Sequence, residues 1–269
     1  MRPIEINECH AFLLSIAVEF DRICRKHRIP YYMLGGTMLG AVRHGGFIPW
    51  DDDMDFGVPR NYFDRLIDVL SEELPENMRV LTLSNEGFPV ANYIKIENIH
   101  TQVTDYWIDQ ATKLGVNIDV FPLDEGLSSG FQTYVFASYI IRLVAIKNFI
   151  CVDPAKRKGV KKLIARLLHF LFLHKTGNLL RYIDRCILRH TIPDSRYRIN
   201  FYGNWRIKEV VAKKVFGEAK VYEFNGHSFY GVEDADAYLT KLYGNYMQLP
   251  PKHERGVHST GGMYVKNSV

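Results

Sequence analysis

The sequence predicts an α+β fold: a mixed sheet with flanking helices, followed by a helical addition. Three observations lead there. Amphipathic stretches alternate with short apolar runs through the first 125 residues. Two of those runs hold an aspartate between apolar neighbours, Met54-Asp55-Phe56 and Ile118-Asp119-Val120. After Asp124 the pattern changes to long apolar and basic segments of helical length.

Residues 5–27 place Phe12, Leu13, Ile16, Phe20 and Ile23 in an apolar stripe. Arg22, Arg25 and Lys26 load the C-terminal end, where a helix favours positive charge. Pro30 ends this helix. Residues 31–34 form a short strand running into Gly35-Gly36, and residues 37–42 a short helix with Thr37 near its start. Gly45, Gly46 and Pro49 hold open the loop that follows. Over residues 53–58, Met54, Phe56 and Val58 point to one face and Asp53 and Asp55 to the other, the two-residue period of a strand. Residues 61–74 are a second amphipathic helix. Strands are expected at 80–84, 93–97 and 116–121, with Lys95 as an edge-strand lysine.

Residues 131–149 are apolar and helical. Residues 156–174 set Lys158, Lys162 and Arg166 against Val160, Leu163, Ile164, Leu167 and Leu171, and Asp153 is the only acidic residue between positions 126 and 182. The expected organisation is a catalytic core over 1–125, a helical addition over 126–200, and a C-terminal segment over 201–269 that completes the catalytic domain.

With 269 residues and 47% hydrophobic content, the chain can build a sizeable core. A net charge of +4 is too weak to argue for nucleic-acid binding, and suits an anionic ligand or an anionic membrane face. Cys9, Cys24, Cys151 and Cys186 form no CxxC pair and read as reduced thiols. The first ten residues lack the apolar run of a signal peptide, so a cytoplasmic location is expected. The charge-free run 126–141 is followed by Arg142 and Lys147, which makes it short for a membrane span.

The chemistry concentrates in Gly35-Gly36-Thr37 and Asp51-Asp52-Asp53-Met54-Asp55. Glycines let a backbone approach a ligand, and a helix starting beside them points free N–H groups at phosphate. Alternating carboxylates on one strand face offer hard oxygen ligands for Mg²⁺ or Mn²⁺. A diphosphate beside a hard cation is what phosphoryl transfer requires. A calcium loop is excluded: its sixth position needs Gly and its twelfth Glu, and these are Phe56 and Tyr62. Asp119 is either a paired core residue or a ligand, because burying a lone carboxylate is costly. Beside Asp53 and Asp55, the ligand reading is preferred.

The run from Gly35 to His44, followed by Phe47-Ile48-Pro49-Trp50 and Asp51 to Asp55, resembles the signature of the LicD family, which is related to fukutin. Phe121-Pro122-Leu123-Asp124, Tyr238-Leu239, Tyr243-Gly244-Asn245-Tyr246-Met247, Leu249-Pro250-Pro251 and His258 are also similar to the family. The resemblance implies a nucleotidyltransferase-like fold of the DNA polymerase β type. It implies transfer of phosphocholine, or a related phospho-alcohol, from a CDP-linked donor to a hydroxyl of a glycan or lipid-linked glycan, with release of CMP. The acceptor would be of the lipopolysaccharide or teichoic-acid kind. On this resemblance Asp53, Asp55 and Asp119 hold one or two Mg²⁺ or Mn²⁺ ions, and Asp119 also positions or deprotonates the acceptor hydroxyl. Gly35, Gly36, Thr37, Arg43 and His44 bind the donor phosphates.

Three alternatives stay open at this stage. A glycosyltransferase would also use an Asp-x-Asp strand, but would release a nucleoside diphosphate. A nucleotidyltransferase would release pyrophosphate. A non-catalytic membrane adaptor would be built on residues 156–174, whose amphipathic pattern also suits peripheral contact at the inner face of a membrane.

Overall fold

The computed structural model describes residues 1–82, 92–103, 114–151, 154, 157–256 and 262–266. The strands are β1 (Arg2–Pro3), β2 (Tyr32–Met33), β3 (Asp55–Pro59), β4 (Met78–Leu81), β5 (Ile94–Asn98), β6 (Thr101–Val103), β7 (Asn117–Glu125), β8 (Tyr197–Ile199), β9 (Val210–Ala212), β10 (Lys220–Phe224), β11 (His227–Gly231) and β12 (Met263–Val265). The α-helices are α1 (Ile6–Lys26), α2 (Gly35–His44), α3 (Phe63–Glu73), α4 (Gly130–Cys151), α5 (Gly159–Phe172), α6 (Thr176–His190), α7 (Lys213–Phe216) and α8 (Ala235–Tyr243). The mixture is α+β, as the sequence predicts.

The main sheet runs β2-β3-β7-β5-β4, with β8 pairing the end of β7 and β9 pairing β8. β3 and β7 are parallel, while β2, β5 and β4 run antiparallel to their neighbours. The expected strand at 80–84 is β4, shifted toward the N-terminus; positions 83 and 84 lie outside the described residues. Helix α2 starts at Gly35, two residues before the expected start.

Alternation on β3 has the predicted outcome. Met54, Phe56 and Val58 are fully buried. Phe56 packs between Phe20 of α1, 5.0 Å away between ring centroids, and Tyr31 at 5.7 Å. That aromatic cluster fixes one face of the sheet and leaves the aspartate face toward α2.

Beyond β7, Ala137, Ile140 and Val144 of α4 pack against Ile183 and Ile187 of α6 and against Ile199, Phe201 and Val210. From its sequence the apolar run here is short for a membrane span. The helix is longer than that run, because Arg142 and Lys147 do not interrupt it. By length and composition α4 is apolar enough to cross a bilayer, with about a third of its apolar window buried.

An ion-pair cluster ties this region to the sheet. Arg60 donates from Nε and Nη2 to the two Asp124 oxygens, at 2.7 and 3.0 Å, and its Nη1 lies 3.1 Å from Asp184 of α6. Asp124 is only 1% exposed, so its charge depends on that fork. Arg60→Met should therefore cost about 3–5 kcal/mol of unfolding free energy, because a buried carboxylate is left unpaired. Adding Asp124→Asn should restore part of the loss. Urea midpoints of the two variants check this, and an unshifted midpoint for Arg60→Met would remove the cluster from the account of stability.

Candidate active site

Strand register assembles the centre of the site. Asp55 on β3 lies opposite Asp119 on β7, and Asp119 lies opposite Lys95 on β5. Residues paired across neighbouring strands project to the same face, so these three form a row across the sheet. Lys95 Nζ donates to Asp119 Oδ1, and also to Asn117 Oδ1 at 3.0 Å. The expectation of an edge lysine is corrected: β5 is an interior strand between β7 and β4, and the ammonium is turned inward to the carboxylate it neutralises.

The start of α2 is stitched to the start of β3. Leu34 N–H donates to Asp55 O at 2.9 Å, and Asp55 N–H donates to Thr37 Oγ1 at 2.8 Å. The glycines at this turn answer to two carboxylates. A Cβ at Gly36 would stand 2.7 Å from Asp51 Oδ2. One at Gly35 would stand 3.3 Å from Asp55 Oδ2, and Gly35 adopts a positive φ of 47°. Any side chain here would push the acidic strand away from the helix start, where the helix dipole favours negative charge.

A cleft of about 780 Å³ opens on this row, and Gly35, Gly36, Arg43, Asp51, Asp53, Asp55 and Asp119 all line it. Thr37 and His44 lie behind the lining. Thr37 spends its hydroxyl on the Asp55 amide, and His44 Nε2 accepts from Arg43 Nε at 3.0 Å. Burial and the neighbouring Arg43 lower the His44 pKa, which keeps the imidazole a neutral acceptor. Arg43 Nη1 also donates to Tyr246 O at 2.8 Å, so the guanidinium is clamped from two sides. The loop before the aspartates is pinned from outside. Asn225 accepts from Phe47 N–H at 2.9 Å, and His10 stacks on Phe47 at 4.1 Å while its Nε2 contacts Asp51 O at 2.7 Å.

Burial, then repulsion from Asp53, Asp119 and Asp51, holds the Asp55 carboxyl well above the usual carboxylate range. Burial also raises Asp119, against the opposing pull of Lys95. Such a crowd of hard oxygen donors fits a divalent cation, which would offset the repulsion. As the side chains stand, no three His, Cys, Asp or Glu among the described residues are gathered into a metal-holding group.

Residues 28–137 match the family described as LicD/FKTN/FKRP, nucleotidyltransferase domain. This chain carries a LicD-family domain. Lipopolysaccharide cholinephosphotransferase LicD of Haemophilus influenzae is 29% identical over 276 residues, covering 98% of this chain and all of that protein. Human ribitol 5-phosphate transferase FKRP is 53% identical over 30 residues, 11% of this chain and 6% of that protein. An uncharacterised Rickettsia prowazekii protein is 44% identical over 46 residues, 17% of each chain.

The matched LicD region ends before several residues that complete the cleft. Tyr238 OH accepts from Gly35 N–H at 3.1 Å, and Tyr243, Tyr246 and residues 249–251 line the rim. His258 lies outside the described residues. Nothing in the sequence singles out Glu209. It sits between Lys208 and Val210, where it reads as a surface charge, yet it is 5% exposed and lines the cleft. Its oxygen occupies the place a side chain on Gly203 would need, 2.2 Å from such a Cβ.

Burial pushes the Glu209 carboxyl up to about 8, partly offset by a hydrogen bond from the Trp205 backbone. Its folded pKa is thus above its unfolded value. The associated stability is full below the unfolded pKa, about 4.3, and drains away as pH rises toward about 8. Glu209→Gln should remove that loss. Its Tm should exceed the parent's by more than about 5 °C at pH 8 and converge with it at pH 4. Thermal melts across that range check this, and parallel curves would show that Glu209 stays ionised.

Proposed function

We propose that this protein transfers phosphocholine, or a related phospho-alcohol, from a CDP-linked donor to a hydroxyl of a glycan or lipid-linked glycan, releasing CMP. The observation that carries this reading is the paired register of Asp55 and Asp119 in one cleft with Asp51 and Asp53, against the glycine start of α2. The activities of the LicD and FKRP relatives, cholinephosphotransferase and ribitol 5-phosphate transferase, support the same class of reaction.

Asp53 and Asp55 would hold Mg²⁺ or Mn²⁺, with Asp119 as the further carboxylate. When bound, such an ion offsets the negative charge of the donor phosphates. The positive end of the α2 dipole and the clamped Arg43 guanidinium orient the diphosphate. Asp119 takes the proton of the acceptor hydroxyl. Burial makes this carboxylate more basic than an ordinary aspartate, and Lys95 holds it in place. The acceptor oxygen forms its bond to the transferred phosphorus as the bond to CMP breaks, and CMP leaves with the electron pair. Trp50, Tyr93 and Tyr243 wall the cleft and limit water access.

Incubating the purified protein with Mg²⁺ or Mn²⁺ and a panel of CDP-alcohols and nucleotide-sugars, then identifying the released nucleotide, tests the reaction. CMP is expected. Release of a nucleoside diphosphate would indicate sugar transfer, and pyrophosphate would indicate nucleotidyl transfer. Asp53→Asn and Asp55→Asn should each slow turnover by on the order of a thousandfold. Folding should survive, since each change relieves repulsion among the carboxylates. Near-parental turnover, or full activity in excess EDTA, would end the metal assignment.

A further inference from the structure

Helix α5 presents its apolar stripe to solvent. Apolar residues at 160, 163, 164, 167 and 171 recur at steps of three and four, which places them along one side of the helix. In a packed domain such a side faces the core. Here Val160 is 74% exposed, Leu163 70%, Leu167 58% and Phe170 82%. The residue that α5 buries is Ala165, two positions from Leu163 and Leu167 and so on the far side of the helix. His169, one turn further on, is fixed by its Nδ1 to the Ile150 carbonyl at 2.9 Å. The helix therefore rests on the protein through its small and polar side, and the leucine side is left outward.

Charge decides what covers it. Lys161 and Arg166 lie on the flanks of the stripe with Lys162 further round, and Asp153 is the only acidic residue in positions 126–182. A second copy of the chain would bring two basic flanks together, and like charges disfavour that pairing. An anionic bilayer matches both features at once: acyl chains for the leucine side and lipid phosphates for the cations. Helix α4 packs beside α5 and adds exposed Val135 and Ile146. Its opposite side is already committed to α6 through Ala137, Ile140 and Val144, which favours lying on the membrane over crossing it.

We propose that α5 is an interfacial anchor that inserts its leucine side into an anionic bilayer surface. The anchor is independent of the transfer reaction and is tested without it. The full-length protein is floated with vesicles of phosphatidylcholine alone, and with vesicles that also contain phosphatidylglycerol. It should float with the anionic vesicles at low salt, and rising salt should release it. Replacing Leu163, Leu167 and Phe170 together by Ser should abolish flotation with an unchanged circular dichroism spectrum, since all three side chains are exposed. Reversing Lys161, Lys162 and Arg166 to Glu should weaken binding by on the order of a hundredfold. The anchor is overturned if the parent protein stays in the soluble fraction with anionic vesicles, or if the serine variant binds as the parent does. Sedimentation showing a dimer that the serine variant abolishes, without vesicle binding, would assign this face to a second copy instead.

Discussion

The parallel pairing of β3 with β7 is the constraint on which the site depends. It sets Asp55 beside Asp119, and the antiparallel pairing of β5 sets Lys95 beside Asp119 in turn. Two partly buried carboxylates side by side repel each other, and a chain left to itself would slide the register to separate them. A slip of one residue, however, would turn Phe56 and Val58 out of the aromatic core and Asp55 into it. The hydrophobic face of β3 thus enforces the unfavourable order on its opposite face. Lys95 reduces the cost by supplying one buried positive charge, held by both Asp119 and Asn117.

The second requirement is approach. Asp51 and Asp55 come close to the start of α2 because Gly35 and Gly36 carry no side chains. Close approach alone would leave the acidic loop free to swing, and two remote groups hold it: Asn225 of the β10–β11 turn and His10 of α1. Tyr238 of α8 holds the facing glycine turn through the Gly35 amide. Residues almost two hundred positions apart in sequence therefore set the position of one short loop. This kind of support keeps a charged constellation in place before a ligand arrives, so that little reorganisation is needed when it does.

Much of this was legible in the sequence, because the signals are local. The alternation over 53–58 gives a strand with one acidic face, and the Gly35-Gly36 turn gives a helix start. The illegible parts are those that depend on pairing between distant segments. Lys95 between Ile94 and Ile96 looks the same on an edge strand as on an interior one, and only the β5–β7 register shows that it faces Asp119. Thr37 and His44 carry side chains suited to phosphate, but local bonds to the Asp55 amide and to Arg43 claim them first. Glu209 gave no signal: a glutamate after a lysine ordinarily marks a solvated surface, and its burial comes from the close packing of Gly203 against it.

Asp119 and Asp124 show why a buried carboxylate is ambiguous on paper. Both lie on β7, both have an apolar residue immediately before them, and burial raises the pKa of both. Asp124 meets Arg60, whose planar fork satisfies both oxygens at once and also reaches Asp184. It does not line the cleft, and its role is to join the sheet to α6. Asp119 meets a lysine, a point donor that bonds to one of its two oxygens, and it opens onto the cleft beside Asp53 and Asp55. A bidentate arginine closes a carboxylate to further chemistry, whereas a lysine leaves it able to accept a proton or join a metal. The choice of cation opposite each aspartate separates the structural end of β7 from its reactive end.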